Sequence, residues 1–155
     1  MDLHPDCADL GFLLGTWKGG GAGEYPTIEP FEYVEEVSFG HVGKPFLAYA
    51  QKTRDAGTGL PLHAEAGYLR AIGDGRVEFV LVQPSGIVEL HSGSVTDGAI
   101  DLTLDAVHTS PAAKSVTDVV RELAVEGNTL RYRIAMAAVG EPLTHHLEAT
   151  LTREP

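Results

Sequence analysis

The feature that most constrains this chain is the spacing of its turn-forming residues. Clusters rich in Gly, Pro, Asn and Asp recur at Gly73-Asp74-Gly75, Pro84-Ser85-Gly86, Asp97-Gly98, Gly127-Asn128 and Gly140-Glu141-Pro142. Between the first three of these clusters, and again between the last two, the intervals run to roughly 8–12 residues, which suits an all-β fold. Within the intervals, apolar residues alternate. Ile100, Leu102, Leu104 and Ala106 share one face while Asp101, Thr103 and Asp105 share the other. Leu130, Tyr132, Ile134 and Met136 likewise alternate with Arg131, Arg133 and Ala135. A single apolar face per strand implies a sheet with one buried side.

The pattern predicts ten strands, at Gly15–Tyr25, Phe31–Val42, Phe46–Arg54, Leu62–Ala71, Arg76–Pro84, Ile87–Thr96, Ala99–His108, Ser115–Val125, Thr129–Ala138 and Leu143–Arg153. Short turns between them give an antiparallel, up-and-down meander. Closing such a sheet removes its exposed edges and makes a β-barrel. A sandwich is the alternative, but it usually needs longer crossing connections than this chain offers. One short helix is expected at Pro5–Leu14, with Leu10, Leu13 and Leu14 as its apolar stripe, capping one end of the barrel.

Composition narrows the functional classes. At 155 residues and 43% hydrophobic, the chain suits one domain, residues 1–155, with a true core. Its formal net charge of −11 and lack of a basic run make nucleic acid and anionic membrane surfaces poor partners. The single cysteine, Cys7, cannot form an internal disulfide and reads as a buried or bystander thiol. It also excludes a zinc site needing two cysteines, and the absence of Cys-x-x-Cys-His excludes covalent haem attachment. Without a signal-peptide pattern or a stretch of 18 apolar residues, the expected compartment is the cytoplasm.

Three features bear on chemistry. The first is Gly15-Thr16-Trp17-Lys18-Gly19-Gly20-Gly21. It lacks the preceding strand and the Gly-Lys-Ser/Thr ending of a phosphate loop. Trp17 reads as a plug at one barrel end, and the glycines let the strand coil or let a neighbour come close. The following Tyr25-Pro26-Thr27 could form a rim. The second is the histidine set, in which His145 and His146 are adjacent on the last strand. Neighbours on a strand point to opposite faces, so one of the two faces the interior, and neutral imidazole is a good axial ligand for haem iron. The third is Leu62-His63-Ala64-Glu65-Ala66-Gly67-Tyr68-Leu69-Arg70. Its polar residues either pair across the sheet or place His63 over a ligand.

These segments together resemble the nitrobindins. The likeness rests on Gly-x-Trp-x-Gly-x-Gly with Tyr25-Pro26-Thr27-Ile28, Pro30-Phe31-Glu32-Tyr33, Gly43-Lys44-Pro45-Phe46-Leu47, His63 to Arg70, and the closing His146-Leu147. It covers about Leu13 to Arg153 and is nearest to the actinobacterial members. The resemblance implies a ten-stranded antiparallel barrel similar to fatty-acid-binding proteins and lipocalins. It further implies a non-covalent, ferric haem b, held by one axial histidine that corresponds to His146. Thr27 and Lys114 fall at positions near the haem, and His63 falls on its distal side. Members of the family bind nitric oxide and convert peroxynitrite to nitrate.

Two matters stay open at this point. Strict alternation along Leu143, His145, Leu147, Ala149 and Leu151 turns His145 inward, whereas the resemblance selects His146; a bulge would reconcile them. The rival function is a carrier of a fatty acid or other small apolar ligand, without haem. A pure nitric oxide sensor is a further rival, weakened by the lack of an output domain. Exposed apolar faces would suit a homodimer.

Overall fold

A computed structural model describes residues Met1–Pro155. The alternating segments become ten strands: β1 Gly15–Tyr25, β2 Ile28–Gly40, β3 Phe46–Asp55, β4 Pro61–Gly73, β5 Arg76–Gln83, β6 Ile87–Thr96, β7 Ala99–Thr109, β8 Val116–Glu126, β9 Thr129–Ala138 and β10 Thr144–Arg153. Each pairs antiparallel with its sequence neighbours, and β1 pairs with β10 from Trp17↔Arg153 to Gly23↔Leu147, closing the barrel. The hairpin chemistry works as expected. Asp97 and Gly98 both take positive φ, 48° and 77°, the conformation that matches a two-residue turn to the strand twist.

Two expectations need correction. The second strand begins at Ile28 rather than Phe31, so it includes Pro30. The β1–β2 ladder is irregular there, passing from Gly23↔Phe31 to Tyr25↔Ile28, and a proline is tolerated where ladder bonds are missing. The N-terminal segment, Pro5–Leu13, is a 3-10 helix, and its buried residues are Cys7, Leu10 and Leu13 rather than Leu10, Leu13 and Leu14. A spacing of three matches three residues per turn, so these side chains stack on one face.

That helix seals one end. Trp17 beneath it is fully buried and donates from Nε1 to the Leu13 carbonyl at 2.8 Å. The Arg153 guanidinium lies 4.2 Å from the Trp17 ring centroid and also donates to the Phe12 carbonyl at 2.7 Å. Trp17 is thus a plug, as its sequence context suggests. The apolar core, including Leu47, Leu69, Val77, Phe79, Ile100 and Leu151, fills this half of the barrel.

The inward glycines of β1 have a steric purpose. A Cβ at Gly21 would lie 2.4 Å from Tyr33 Cζ and 2.5 Å from the Glu148 carbonyl oxygen. The missing side chain lets Tyr33 lean across β1 toward β10. Toward the other end the barrel loosens. The β7–β8 ladder runs only from Ala99↔Ala124 to Thr103↔Val120, and the connections there, such as Pro26-Thr27 and residues 110–115, surround an opening.

Candidate functional site

The open half of the barrel contains a cavity of about 950 Å³, counting the space continuous with solvent at its mouth. Its enclosed part, about 330 Å³, is at the lower end of the range for small-molecule and cofactor sites. Its upper walls are mainly apolar, with Ile28, Phe31, Leu62, Val119, Met136 and Leu147 among the lining residues. His63 and His146 also line it. They come from β4 and β10, strands with three others between them on the shorter way round the barrel.

The register of β10 explains why His146 is here. Thr144 pairs with Met136 and His145 with Ala135, but the next pair is Leu147 with Ile134. His146 is the extra residue of a β-bulge. Beyond it Leu147, Ala149 and Leu151 follow the inward alternation; before it the phase is reversed. His145 therefore lies on outer grooves, beside Val120, Glu122 and Arg133 in one and Glu24, Glu32 and Glu148 in another. The simple alternation that turned His145 inward fails at this one bulge.

The His146 ring is fixed from behind. Its Nδ1 lies 3.0 Å from the Glu24 carbonyl oxygen. A carbonyl only accepts, so Nδ1 carries the hydrogen and Nε2 keeps its lone pair. Tyr25 meets the ring edge-on at a centroid distance of 5.3 Å. The Tyr25 hydroxyl donates to the Met136 carbonyl at 2.9 Å and accepts from the Ala138 N–H at 3.0 Å, tying β1 to the end of β9. Burial lowers the His146 pKa, partly opposed by the Glu24 carbonyl, so the ring is held in its neutral, ligating form.

The floor of the cavity is a layer of charged residues. Arg121 grips two carboxylates. It donates to Glu65 at 3.0 and 2.8 Å through Nη1 and Nη2, and to Glu89 at 3.0 and 3.2 Å through Nε and Nη2. Glu89 also accepts from Gln83 Nε2 at 2.6 Å and from His91 Nε2 at 2.7 Å. Glu65 accepts from Tyr49 at 3.0 Å and lies 3.4 Å from His63 Nε2. Burial alone would push the Glu65 carboxyl up, but the Arg121 guanidinium and the His63 contact outweigh it and hold the group well below the usual carboxylate range. Burial also opposes the Arg121 charge, and Glu65 and Glu89 more than restore it. Beside this layer, Glu35 accepts from Tyr132 at 2.7 Å and from Gln51 at 2.9 Å.

Of the sequence candidates, the structure brings together His63 and His146. Thr27 is exposed in the β1–β2 turn, next to the lining residue Ile28, and Lys114 is exposed in the β7–β8 connection. Both occupy the mouth end without lining the cavity. Sequence reasoning missed Glu35, Glu89 and Arg121. The available signal was a charged residue in phase with buried apolar neighbours, as Glu35 is with Tyr33 and Val37.

Residues 6–153 match the family described as the THAP4-like, heme-binding beta-barrel domain. The chain belongs to this family. It is 55% identical to peroxynitrite isomerase 1 of Mycolicibacterium paratuberculosis, over 99% of this chain and 98% of that one. It is 54% identical to the peroxynitrite isomerase of Nocardia farcinica, over 98% and 93%. The crystal structure of Rv2717c from M. tuberculosis superposes with a TM-score of 0.94 at 50% identity, covering 99% of this chain and 100% of that one. The cavity suits a family that binds haem: its upper walls are largely apolar, and the His146 imidazole on its lining has Nδ1 engaged and Nε2 free.

Proposed function

We propose that this barrel binds ferric haem b in the open cavity through His146 and isomerises peroxynitrite to nitrate there. The observation that carries the reading is the bulge at His146, which presents an oriented, neutral imidazole to an apolar-walled cavity. The family match and the names of the relatives support the same function.

When bound, haem supplies a Lewis-acidic iron with a coordination position for peroxynitrite or nitric oxide. The chain's own residues do the rest. His146 Nε2 would supply the lone pair that holds the iron. The Nδ1–H bond to Glu24 fixes the ring rotation and increases the donor strength of Nε2. Phe31, Met136 and Leu147 exclude water from the reacting volume. His63 offers a ring nitrogen to the substrate anion, and Glu65, anchored by Arg121, orients that ring. Thr27 and Lys114 serve at the rim, where a haem edge would meet solvent. Because no net oxidation occurs, the protein needs no electron donor.

The carrier alternative is not favoured. An alkyl chain would have to end on Glu65, Glu89 and Arg121, which are already paired with one another and cannot be desolvated further at a gain. We also propose that the protein is a cytoplasmic homodimer. The buried thiol of Cys7 suits a reducing compartment. The outer faces of β4 to β6 form an apolar surface in which Ala66 pairs with Val82, Tyr68 with Val80, and Val82 with Val88. Tyr68 and Val82 are 53% and 49% exposed, and a second copy would cover them.

The test is rapid mixing of peroxynitrite with the hemin-loaded protein, following decay and nitrate yield. Wild type is expected to accelerate decay with nitrate as product, and His63→Leu to slow it by about 10²-fold or more, the usual contribution of a positioned proton-exchanging group. Unchanged decay in His63→Leu would remove that residue from the mechanism. No acceleration in hemin-loaded wild type would reject the isomerase reading itself.

A further inference from the structure

Behind the His146 side of the cavity runs a chain of hydroxyls that binding haem does not require. Tyr33 lines the cavity. Its hydroxyl lies 2.7 Å from that of Tyr132 and 3.2 Å from the Glu148 carbonyl oxygen. The Tyr132 hydroxyl lies 2.7 Å from Glu35 Oε2, and the other oxygen of Glu35 accepts from Gln51. Glu35 is 5% exposed and has no basic partner. Gln51 Oε1 is buried without a donor.

This chain has two complete hydrogen-bonding arrangements. With Glu35 ionised, Tyr33 donates to Tyr132 and Tyr132 donates to Glu35. With Glu35 protonated, Glu35 donates to Tyr132, Tyr132 to Tyr33, and Tyr33 to the Glu148 carbonyl. Every hydroxyl hydrogen has an acceptor in both, so neither state leaves a buried donor stranded. The two differ by one proton and interconvert by short hops. A proton supplied by the bulk solvent (hydronium or buffer acid) adds to Tyr33, Tyr33 gives its own to Tyr132, and Tyr132 gives its own to Glu35, for a net uptake of one proton; the reverse sequence returns it.

We propose that Glu35, Tyr132 and Tyr33 form a reversible proton relay between the barrel interior and the cavity, so that an anion in the cavity is bound together with a proton. The electrostatic reason is local. The groups facing Glu35 are Tyr33 on its own strand, Gln51 and Tyr49 on β3, His63 and Glu65 on β4, Arg121 on β8 and Tyr132 on β9. Arg121 is committed to Glu65 and Glu89, which leaves an ionised Glu35 as an uncompensated negative charge in the layer beneath the ligand. An arriving anion raises the cost of that charge, and proton uptake removes it. Burial already pushes Glu35 up to about 7, against the hydrogen bonds from Tyr132 and Gln51, so the relay works near neutral pH. Gly21 is part of the device, because a side chain there would displace Tyr33.

The relay itself does not depend on haem, whereas its coupling to an anion rests on the function proposed above. Two measurements separate them. In the haem-free barrel, the infrared C=O band of a protonated carboxyl is expected to titrate near pH 7 in wild type and to be absent in Glu35→Gln. In Tyr132→Phe, which removes a bond favouring the charged form, the titration is expected to move up. The absence of a titrating band, or its persistence in Glu35→Gln, would overturn the relay whether or not hemin binds. In the hemin-loaded protein, calorimetry with azide in buffers of different ionisation heat is expected to show about half a proton taken up per azide at pH 7, falling to near zero in Glu35→Gln. Equal uptake in the two proteins would overturn the coupling. Failure of hemin to bind would reject the haem reading and with it the coupling, while the infrared titration still decides the relay.

Discussion

Replacing Arg121 with Met keeps the apolar stem of the side chain but removes its guanidinium and its charge. In the native barrel, Arg121 makes four hydrogen bonds to Glu65 and Glu89, both buried. Taking away one partner of such a buried group leaves uncompensated charge, at a cost of about 3–5 kcal/mol. For a chain of this length that corresponds to a melting temperature lower by on the order of 10 °C. The variant also predicts a change in pH dependence. In wild type, the pKa of Glu65 is depressed, so its contribution is present above the unfolded carboxylate value, roughly 4.3, and is lost only as pH falls through the lower folded value. Without Arg121, burial dominates and raises Glu65. Its effect then reverses, costing stability as pH rises above the unfolded value. The deficit of Arg121→Met against wild type is therefore expected to be largest at neutral pH and to shrink as pH falls toward 5. Thermal melts by circular dichroism between pH 5 and 8 read this directly. A variant melting within about 2 °C of wild type at pH 7, or a deficit independent of pH, would refute the view that this layer is an ionised, mutually dependent network.

Other perturbations test separate parts of the structure. Gly21→Ala is expected to cost about 1–3 kcal/mol by overpacking against Tyr33 and the Glu148 carbonyl, whereas Gly40→Ala, where nothing lies within 4 Å, is expected to shift a denaturant midpoint far less. Val82→Glu places a charge in the middle of the outer apolar surface and is expected to convert a dimer to a monomer in light scattering with unchanged circular dichroism; a dimer that persists would place the interface elsewhere.

The barrel was legible because its information is local. Asp97-Gly98 fixes one hairpin, and the alternation of Ile100, Leu102 and Leu104 fixes the face of the strand that follows. Residues such as His146 depend instead on two strands together. Alternation along β10 alone turns His145 inward; only the pairing with Ala135 and Ile134 reveals the extra residue that reverses the phase. The resemblance selected His146 without giving that reason. The charged floor was hidden for a similar cause. Glu65 reads from its own strand as a residue that pairs across the sheet, but its partner Arg121 lies four strands away, beyond β5, β6 and β7. The expected helix, Pro5–Leu14, takes α-helical spacing from Leu10, Leu13 and Leu14, although Cys7, Leu10 and Leu13 carry a period of three.

The most direct test of the haem-barrel account is a hemin titration by visible absorption on wild type, His145→Ala and His146→Ala. The account predicts one equivalent bound by wild type and by His145→Ala, with the ferric spectrum and stoichiometric uptake lost in His146→Ala alone. Loss in His145→Ala with retention in His146→Ala would contradict the placement of the axial ligand at the β10 bulge, and no saturable uptake by wild type would contradict the haem site itself.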